Sequence, residues 1–384
     1  MSNIHDIVII GAGSVGTPAA FYLAESGFKV AVIEKYASPG QGQNKSAIGG
    51  IRATHSDAAK IWLCQDSLKA FSTWKEKYGD DIGWIQGGYT FPAYSEETEK
   101  MLKDLLIVQK KYGLNINWIS KEEIKEIVPG IYEKELRGGT FSPEDGNASP
   151  LSSINAFYFR AKEKGADFYF NEKVINITVN NGKIENIRTN KNIFSSKWVI
   201  NTAGAEAGEI GKMINLNIPI MPDSHEACIT EPIARLFYPL VVDLRKRPGS
   251  KNFYFYQNAE NQLVICLTPE PIIPGTDRRS TSKFLLQVSR RMIETIPRLA
   301  NLKIRRIWRG LYPMTPDGFP IISTVKNIEG LILAVGMCGQ GFMLGPGTGM
   351  LITRLISEKL NKKDNFILNS LSLYRSFSGM EAFK

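Results

Sequence analysis

The tightest constraint lies within the first 34 residues. Asp6-Ile7-Val8-Ile9-Ile10 is a short apolar, β-branched run of the kind that makes a buried strand. It leads directly into Gly11-Ala12-Gly13-Ser14-Val15-Gly16, after which Phe21, Leu23 and Ala24 recur at helical spacing up to Gly27, a natural C-cap. A second apolar run, Lys29–Ile33, stops at Glu34, eighteen residues past Gly16. Strand, Gly-x-Gly-x-x-Gly, helix, strand and acid, in that order, form the dinucleotide-binding fingerprint. Gly11 permits the tight turn, Gly13 lets backbone approach a pyrophosphate, and Gly16 lets helix and strand pack closely. The helix N-terminus offers unpaired N–H groups to phosphate. Glu34 can accept hydrogen bonds from ribose hydroxyls and disfavours a 2′-phosphate.

The stretch after Glu34 separates two classes of dinucleotide. A nicotinamide enzyme would continue with further strand–helix units, whereas Tyr36 to Gly50 is long, polar and Gly-rich and runs into Ile51-Arg52. A loop of that length is usually functional. It can thread along an extended cofactor and bring Ser46, Gly49, Gly50 and Arg52 to a flavin. A continuous helical pattern is predicted next, from about Ser56 to Tyr78. Two later segments also favour FAD. Lys197–Ala205 (KWVINTAGA) reads as a strand ending in Thr-Ala-Gly. Gly330–Gly349 (GLILAVGMCGQGFMLGPGTG) reads as a strand, a Gly-rich turn and a helix from about Leu344 to Leu360. Glycine inside a helix costs about 0.5–1 kcal/mol relative to alanine. The density of Gly339, Gly341, Gly345, Gly347 and Gly349 is therefore read as close backbone approach to a ring, the alternative being small-residue helix–sheet packing.

Composition closes off other classes. Hydrophobic residues make up 43% and charged residues 22% of 384 positions, ordinary globular usage, which excludes a disordered chain or a collagen. The length suits two to three domains at about 150 residues each. No apolar run nears the roughly 20 residues that span a bilayer. The start MSNIHDIVIIGAG lacks a basic n-region, and IVII is too short for a signal peptide. A soluble, cytoplasmic protein is the expectation. Cys64, Cys228, Cys266 and Cys338 show no CxxC spacing, and only His5, His55 and His225 exist, so no metal site is expected. The net charge of +9 is scattered, with small clusters at Arg245-Lys246-Arg247, Arg278-Arg279 and Arg305-Arg306, which fits a solvated basic surface. The alternatives are affinity for an anionic cofactor, an acidic partner or a membrane surface. No nucleic-acid module is present.

With these residues assembled, the chain resembles the D-amino-acid-oxidase-like FAD-dependent oxidoreductases. It is most similar to glycine and sarcosine oxidases and to the β subunits of heteromeric sarcosine oxidase and dye-linked proline dehydrogenase. The marks are GAGSVG with Glu34, GGIR (Gly49–Arg52), HEACITEP (His225–Pro232), WRGLYPMTPDGFPII (Trp308–Ile322) and GMCGQGFMLGPGTG (Gly336–Gly349). The resemblance implies an α/β fold: a Rossmann-like FAD-binding domain (1–83, 146–218, 323–384) interleaved with an α+β, mixed-sheet substrate domain (84–145, 219–322). Independently, 84–94 and 224–268 are rich in β-like runs, 96–112 and 281–296 are helical in pattern, and Ser120-Lys121-Glu122-Glu123 reads as a capping box. The cofactor-binding candidates are Gly11, Gly13, Ser14, Val15, Gly16, Glu34, Lys35, Ser46, Gly50, Arg52, Val174, Ala203, Gly204, Gly310, Gly339, Gln340, Gly341, Phe342 and Met343.

The implied reaction moves a hydride from the carbon beside an amine nitrogen to flavin N5, giving an imine; the cofactor does the hard step. The substrate carboxylate calls for Arg, Lys or a Tyr hydroxyl. Arg52 contacts flavin or substrate, or else makes a surface salt bridge. His225 serves the site or packs as an interface histidine. His55 follows the flavin loop or caps the helix near Ser56. Tyr254 and Tyr256 share a strand face, as a pocket wall or as ordinary aromatic packing. Tyr312 stands where glycine oxidases carry an arginine, and Met343 where monomeric sarcosine oxidases carry a lysine. Gly310 stands where those oxidases attach flavin through cysteine, so FAD is expected to be non-covalent. Val264 stands where they place an oxygen-activating lysine, which argues for a dehydrogenase acting on sarcosine, proline or glycine, with a second subunit or another electron acceptor as partner. The competing readings are a direct oxidase, a D-amino-acid or 2-hydroxy-acid dehydrogenase, and a non-catalytic FAD-carrying relay.

Overall fold

The opening apolar run forms the strand Asn3–Ile10 in the computed structural model, which describes residues 3–381. It is central in an eight-stranded sheet, flanked in parallel by Val30–Ile33 and Ile193–Asn201. Ile7 and Ile9 point to one layer, Val8 and Ile10 to the other, and all four are buried. Burial on both faces is why the run reads as unbroken apolar sequence. Asp167–Tyr169 extends the sheet beyond Val30–Ile33. On the other side Ile328–Val335 pairs in parallel with Ile193–Asn201, and Ile321–Val325 forms the edge. Val174–Asn180 and Lys183–Thr189 form a hairpin whose turn, Asn181-Gly182, has positive φ at both residues.

The Ile7/Ile9 face is covered by the helices Gly16–Glu25, Ala58–Ser72, Pro150–Glu163 and Gly341–Ile356, with Trp74 and Ile367 from two shorter helices in the same cluster. Phe157 lies 4.1 Å from Trp74 and 5.8 Å from Phe21, ring centre to ring centre; each such pair contributes about 0.5–1.5 kcal/mol beyond burial. The glycines of the last helix are explained by this layer. A Cβ on Gly345 would overlap the Ser14 carbonyl oxygen, one on Gly347 the Leu63 carbonyl oxygen, and one on Gly349 would stand 2.9 Å from the Ala19 amide nitrogen. Gly347 and Gly349 serve helix-on-helix contact, and Gly345 lets the helix close on the glycine turn at Ser14. Of the five glycines in this window, only Gly339 and Gly341 face the large cleft between the two sheets.

The second sheet runs, in spatial order, Ile304–Met314, Met221–Pro232, Gln262–Pro269, Ser250–Gln257, Leu240–Asp243, Tyr89–Ala93, Gly138–Ser142 and Asn117–Ile119. Every pairing is antiparallel except Leu240–Asp243 with Tyr89–Ala93. One face, with Phe253, Phe255 and Ile265, packs on the helix Ser282–Thr295. The other, with Tyr89, Leu240, Tyr256 and Val264, looks back toward the first sheet.

Three local expectations change. The helix predicted from Ser56 to Tyr78 breaks at Thr73 into Ala58–Ser72 and Trp74–Tyr78. Its cap is Asp57, whose carboxylate accepts from Ala59 N at 2.8 Å, while His55 is fully buried instead. The helix predicted from Leu344 to Leu360 begins at Gly341 and ends at Ile356. Among the described residues no helix is long and apolar enough to cross a membrane.

Candidate active site

A cleft of about 860 Å³ runs from the Gly11 turn to the inner face of the second sheet, within the roughly 300–1,000 Å³ usual for ligand cavities. At its first end Gly11 has φ +106°, and a Cβ there would stand 2.9 Å from the Thr202 carbonyl oxygen. The Thr202 hydroxyl is 2.9 and 3.0 Å from the carbonyl oxygens of Ile10 and Gly11, fastening the turn to the neighbouring strand. Gly16 lies beneath, where a Cβ would overlap the Gly11 carbonyl, whereas a Cβ on Gly13 would meet nothing within 4 Å. Glu34 is buried at the end of Val30–Ile33. Its two oxygens accept from Ala12 N at 2.8 Å and Tyr36 N at 2.9 Å. Burial raises its pKa, and these N–H groups pull it back. A carboxylate has about four acceptor positions, so each oxygen keeps one for a further donor. Lys35 pairs with Glu206 at the rim.

The polar loop crosses next, held from behind. Gly40 N donates to Ala12 O at 2.8 Å, Asn44 Nδ2 to Pro150 O at 3.0 Å, and Trp308 Nε1 to Ser46 O at 2.9 Å. The Tyr256 hydroxyl donates to the Ile48 carbonyl. Ser46, Gly50 and Arg52 are thereby left on the cleft wall. Arg52 is buried and donates to the Thr54 carbonyl, with His55 Nδ1 at 3.4 Å. Behind it, Asp145 accepts from Ala53 N at 2.9 Å, and burial pushes its pKa up to about 7.

At the far end the second sheet presents Tyr254 and Tyr312, with hydroxyls 2.9 Å apart. Burial raises both phenol pKa values, so both stay protonated. The Tyr312 ring lies between the Gly339 turn, where a Cβ would overlap it, and the His225 imidazole, stacked at 3.7 Å. His225 Nε2 is 3.3 Å from Asp223 Oδ2.

The cofactor candidates other than Gly16 line this cleft together with Tyr254 and Tyr312, whereas His55, His225, Tyr256 and Val264 do not. Gly16 is under the turn, His225 is behind Tyr312, and Tyr256 is turned to Ile48. Val174, Ala203, Gly204, Gly310 and Gly339 through Met343 are on the wall. Asn252 and Arg278 also line it; Asn252 was not singled out by the sequence, and Arg278 only as half of the basic pair Arg278-Arg279. Asn252 was within reach of the sequence, since it shares the Tyr254 face by period-two alternation; its Oδ1 is buried without a hydrogen-bond partner among the described residues. Arg278 lies on an irregular loop and carries no periodic signal.

These features fit a dinucleotide with a ring at its far end. The glycine turn has an open face at Gly13, an acid with spare acceptor positions stands next to it, and the cleft continues to a second glycine turn. The family described as FAD dependent oxidoreductase matches residues 6–355. Glycine oxidase of Geobacillus kaustophilus is 27% identical over 369 residues, 94% of either chain. Mitochondrial sarcosine dehydrogenase of Homo sapiens is 24% identical over 378 residues, 95% of this chain and 41% of that longer protein. Among solved structures, L-proline dehydrogenase from P. horikoshii superposes with a TM-score of 0.91 and 32% identity over 98% of both chains. Cleft, glycine turns and whole-length likeness agree: the chain belongs to the FAD dependent oxidoreductase family and is an FAD-dependent enzyme.

Proposed function

We propose that the protein is a dehydrogenase for a small amino acid, with secondary amino acids such as proline and sarcosine, and also glycine, as substrates. The observation that carries this reading is the uncharged polar wall of Tyr254, Tyr312 and Asn252 beside the Gly339–Met343 turn. Likeness to L-proline dehydrogenase over 98% of the chain supports it. In this reading residues 1–83, 146–218 and 323–384 form the FAD-binding domain, and 84–145 and 219–322 the substrate domain. The division of strands between the two sheets supports this reading, with the edge strand Ile321–Val325 crossing the 322/323 boundary.

Bound FAD supplies the hydride acceptor that converts the amine to an imine. Gly11, Gly13, Ser14, Val15, Glu34 and Lys35, with Val174, Ala203 and Gly204, would hold its adenosine diphosphate portion, with Gly16 supporting the turn. Ser46, Gly50, Arg52, Gly310 and Gly339 through Met343 would hold the flavin. The first N–H groups of the helix Gly341–Ile356 have no partner within the helix. They bring positive field to charge developing at its start. Asn252 Oδ1 accepts an amine N–H. The Tyr254 and Tyr312 hydroxyls donate or accept without carrying charge, which suits an amine bound neutral. His225 is a positioning residue that holds the Tyr312 ring from behind. Val264 packs among Tyr89, Leu240 and Tyr256, so that position offers oxygen no cation, which favours another acceptor, whether a second subunit or a dye.

The test is a substrate panel under argon. L-proline, sarcosine or glycine is expected to bleach the bound flavin and to pass electrons to a dye, with little peroxide formed in air. Bleaching by 2-hydroxy acids alone, or by none of the panel, contradicts the substrate class. Peroxide formed at the full rate of turnover contradicts the dehydrogenase assignment.

A further inference from the structure

The familiar positions for a carboxylate anchor are filled by Tyr312 and Met343, neither of which can neutralise a carboxylate. The structure supplies another cation. The strand Gln262–Pro269 ends one residue past Thr268, which pairs with Asn252, and the chain then forms an irregular loop to the helix at Ser282. Arg278 lies on that loop, half-buried, and lines the cleft together with Asn252, Tyr254 and Thr268. Its guanidinium makes no hydrogen bond or ion pair with any described residue. The neighbouring arginines at the mouth differ: Arg245 is paired with Asp243 at 2.9 Å, and Arg247 with Glu294 at 2.9 Å. Withdrawing a cation from water without a partner is unfavourable, so an unpaired guanidinium facing a cleft is suited to an incoming anion.

The loop is fastened on both sides of Arg278. Upstream, Asp223 Oδ1 accepts from Ile273 N at 2.8 Å, Ser224 N donates to Ile273 O at 3.1 Å, and Gly275 N donates to Pro222 O at 2.9 Å. Downstream, the buried Arg309 donates to Arg279 O at 3.1 Å, and the buried Glu226 accepts from Thr281 N and Oγ1 at 2.6 and 2.7 Å. Asp223 also holds His225, which stacks on Tyr312. One strand, Met221–Pro232, therefore fixes both the loop that carries Arg278 and the ring of Tyr312. That is the construction a two-point recognition site needs, because a charge on a free loop would not hold a fixed distance from the reacting atoms.

We propose that Arg278 is the substrate-carboxylate anchor: its planar fork takes the carboxylate of an amino acid whose amine end lies toward Asn252 and the tyrosine pair. Arginine suits this role because it offers two parallel N–H donors that match a carboxylate. The proposal rests on the amino-acid dehydrogenase reading and names how that substrate class is recognised.

The test is binding, measured calorimetrically on the FAD-loaded protein. The probes are tetrahydro-2-furoic acid, which keeps a proline-sized ring and carboxylate but has no amine to oxidise, and its neutral carboxamide. Removing a charge-assisted carboxylate contact in Arg278→Ala is expected to weaken the acid about 10- to 100-fold. The carboxamide should change by no more than about twofold, well under the tenfold that 1.4 kcal/mol produces. Arg278→Lys should recover part of the loss, because a point charge lacks the bidentate match. Lys246→Ala, which removes an exposed cation at the mouth, should leave the acid within about twofold of the parent protein, as expected for a screened surface charge. FAD content and melting temperature should match the parent in each variant. The proposal is overturned if Arg278→Ala binds the acid as well as the parent does, if acid and carboxamide lose affinity equally, or if the parent fails to prefer the acid. Failure of the amino-acid reading has a different signature. In that case the acid still binds through Arg278, while proline, sarcosine and glycine leave the flavin oxidised under argon.

Discussion

Gly345→Val is expected to yield protein that has lost most of its bound FAD and melts well below the parent. The β-carbon would fall on the Ser14 carbonyl oxygen, a backbone atom in the glycine turn, where no flexible side chain can give way. Relief requires the helix Gly341–Ile356 to move off the helix Gly16–Glu25. That displaces Ser14 and Val15 together with Gly341 to Met343, all of which line the cleft. Overpacking of this kind costs about 3 kcal/mol, the upper part of the usual range. Gly13→Ala is the comparison, because its β-carbon meets nothing within 4 Å. It should fill the approach to the pyrophosphate and weaken FAD while leaving the melting temperature of the apoprotein unchanged. Flavin content and thermal melts of both variants check the pair. Full FAD content in Gly345→Val would contradict the packing account.

Glu381→Ala is expected to destabilise the fold by about 3–5 kcal/mol, the usual cost of stranding one member of a buried ion pair. The Glu381 carboxylate takes Lys60 Nζ at 2.9 Å, and both side chains are fully buried. Its other oxygen accepts from Ser56 Oγ at 2.8 Å, which ties the chain end to the segment after Arg52. Burial works against the charge, but the Lys60 ammonium outweighs it, and the pKa of Glu381 falls below its ordinary 4.5. A carboxyl whose folded pKa is depressed adds stability above its unfolded pKa and loses it as the pH falls through the folded value. The gap between parent and variant should therefore be complete at neutral pH and close below about pH 4.5. Lys60→Met combined with Glu381→Leu should recover most of the loss, since an apolar pair can replace a buried ion pair. Urea denaturation of the two single variants and the double variant measures this, and additive losses would contradict it.

Legibility in the sequence tracked the range of the interaction. The order of elements from Asp6 to Glu34 could be read because each residue's role there is set by near neighbours. The Ser120 box could be read for the same reason: Glu123 N donates to Ser120 Oγ at 3.2 Å, and Ser120 N to Glu123 Oε2 at 2.7 Å. The glycines after Gly341 carried a real signal of close approach, but a small residue does not say what approaches it. For Gly347 and Gly349 the approaching group is another helix, and for Gly345 it is the glycine turn at Ser14. His225 lies on the strand its sequence suggested, yet it supports Tyr312 instead of facing the cleft. Lys60 and Glu381 lie 321 positions apart, and nothing near either residue predicts the other. Arg278 could be read only as half of a basic pair, because its place on the cleft depends on anchors at Asp223, Glu226 and Arg309.

The most direct measurement is the flavin released when the purified protein is denatured. One intact FAD per chain, freed completely from the polypeptide, is the result expected of a cleft built from the Gly11 turn, Glu34 and the Gly339 turn, with Gly310 offering no thiol for a covalent link. A colourless protein that takes up no added FAD, or flavin that stays attached to the chain, would contradict it.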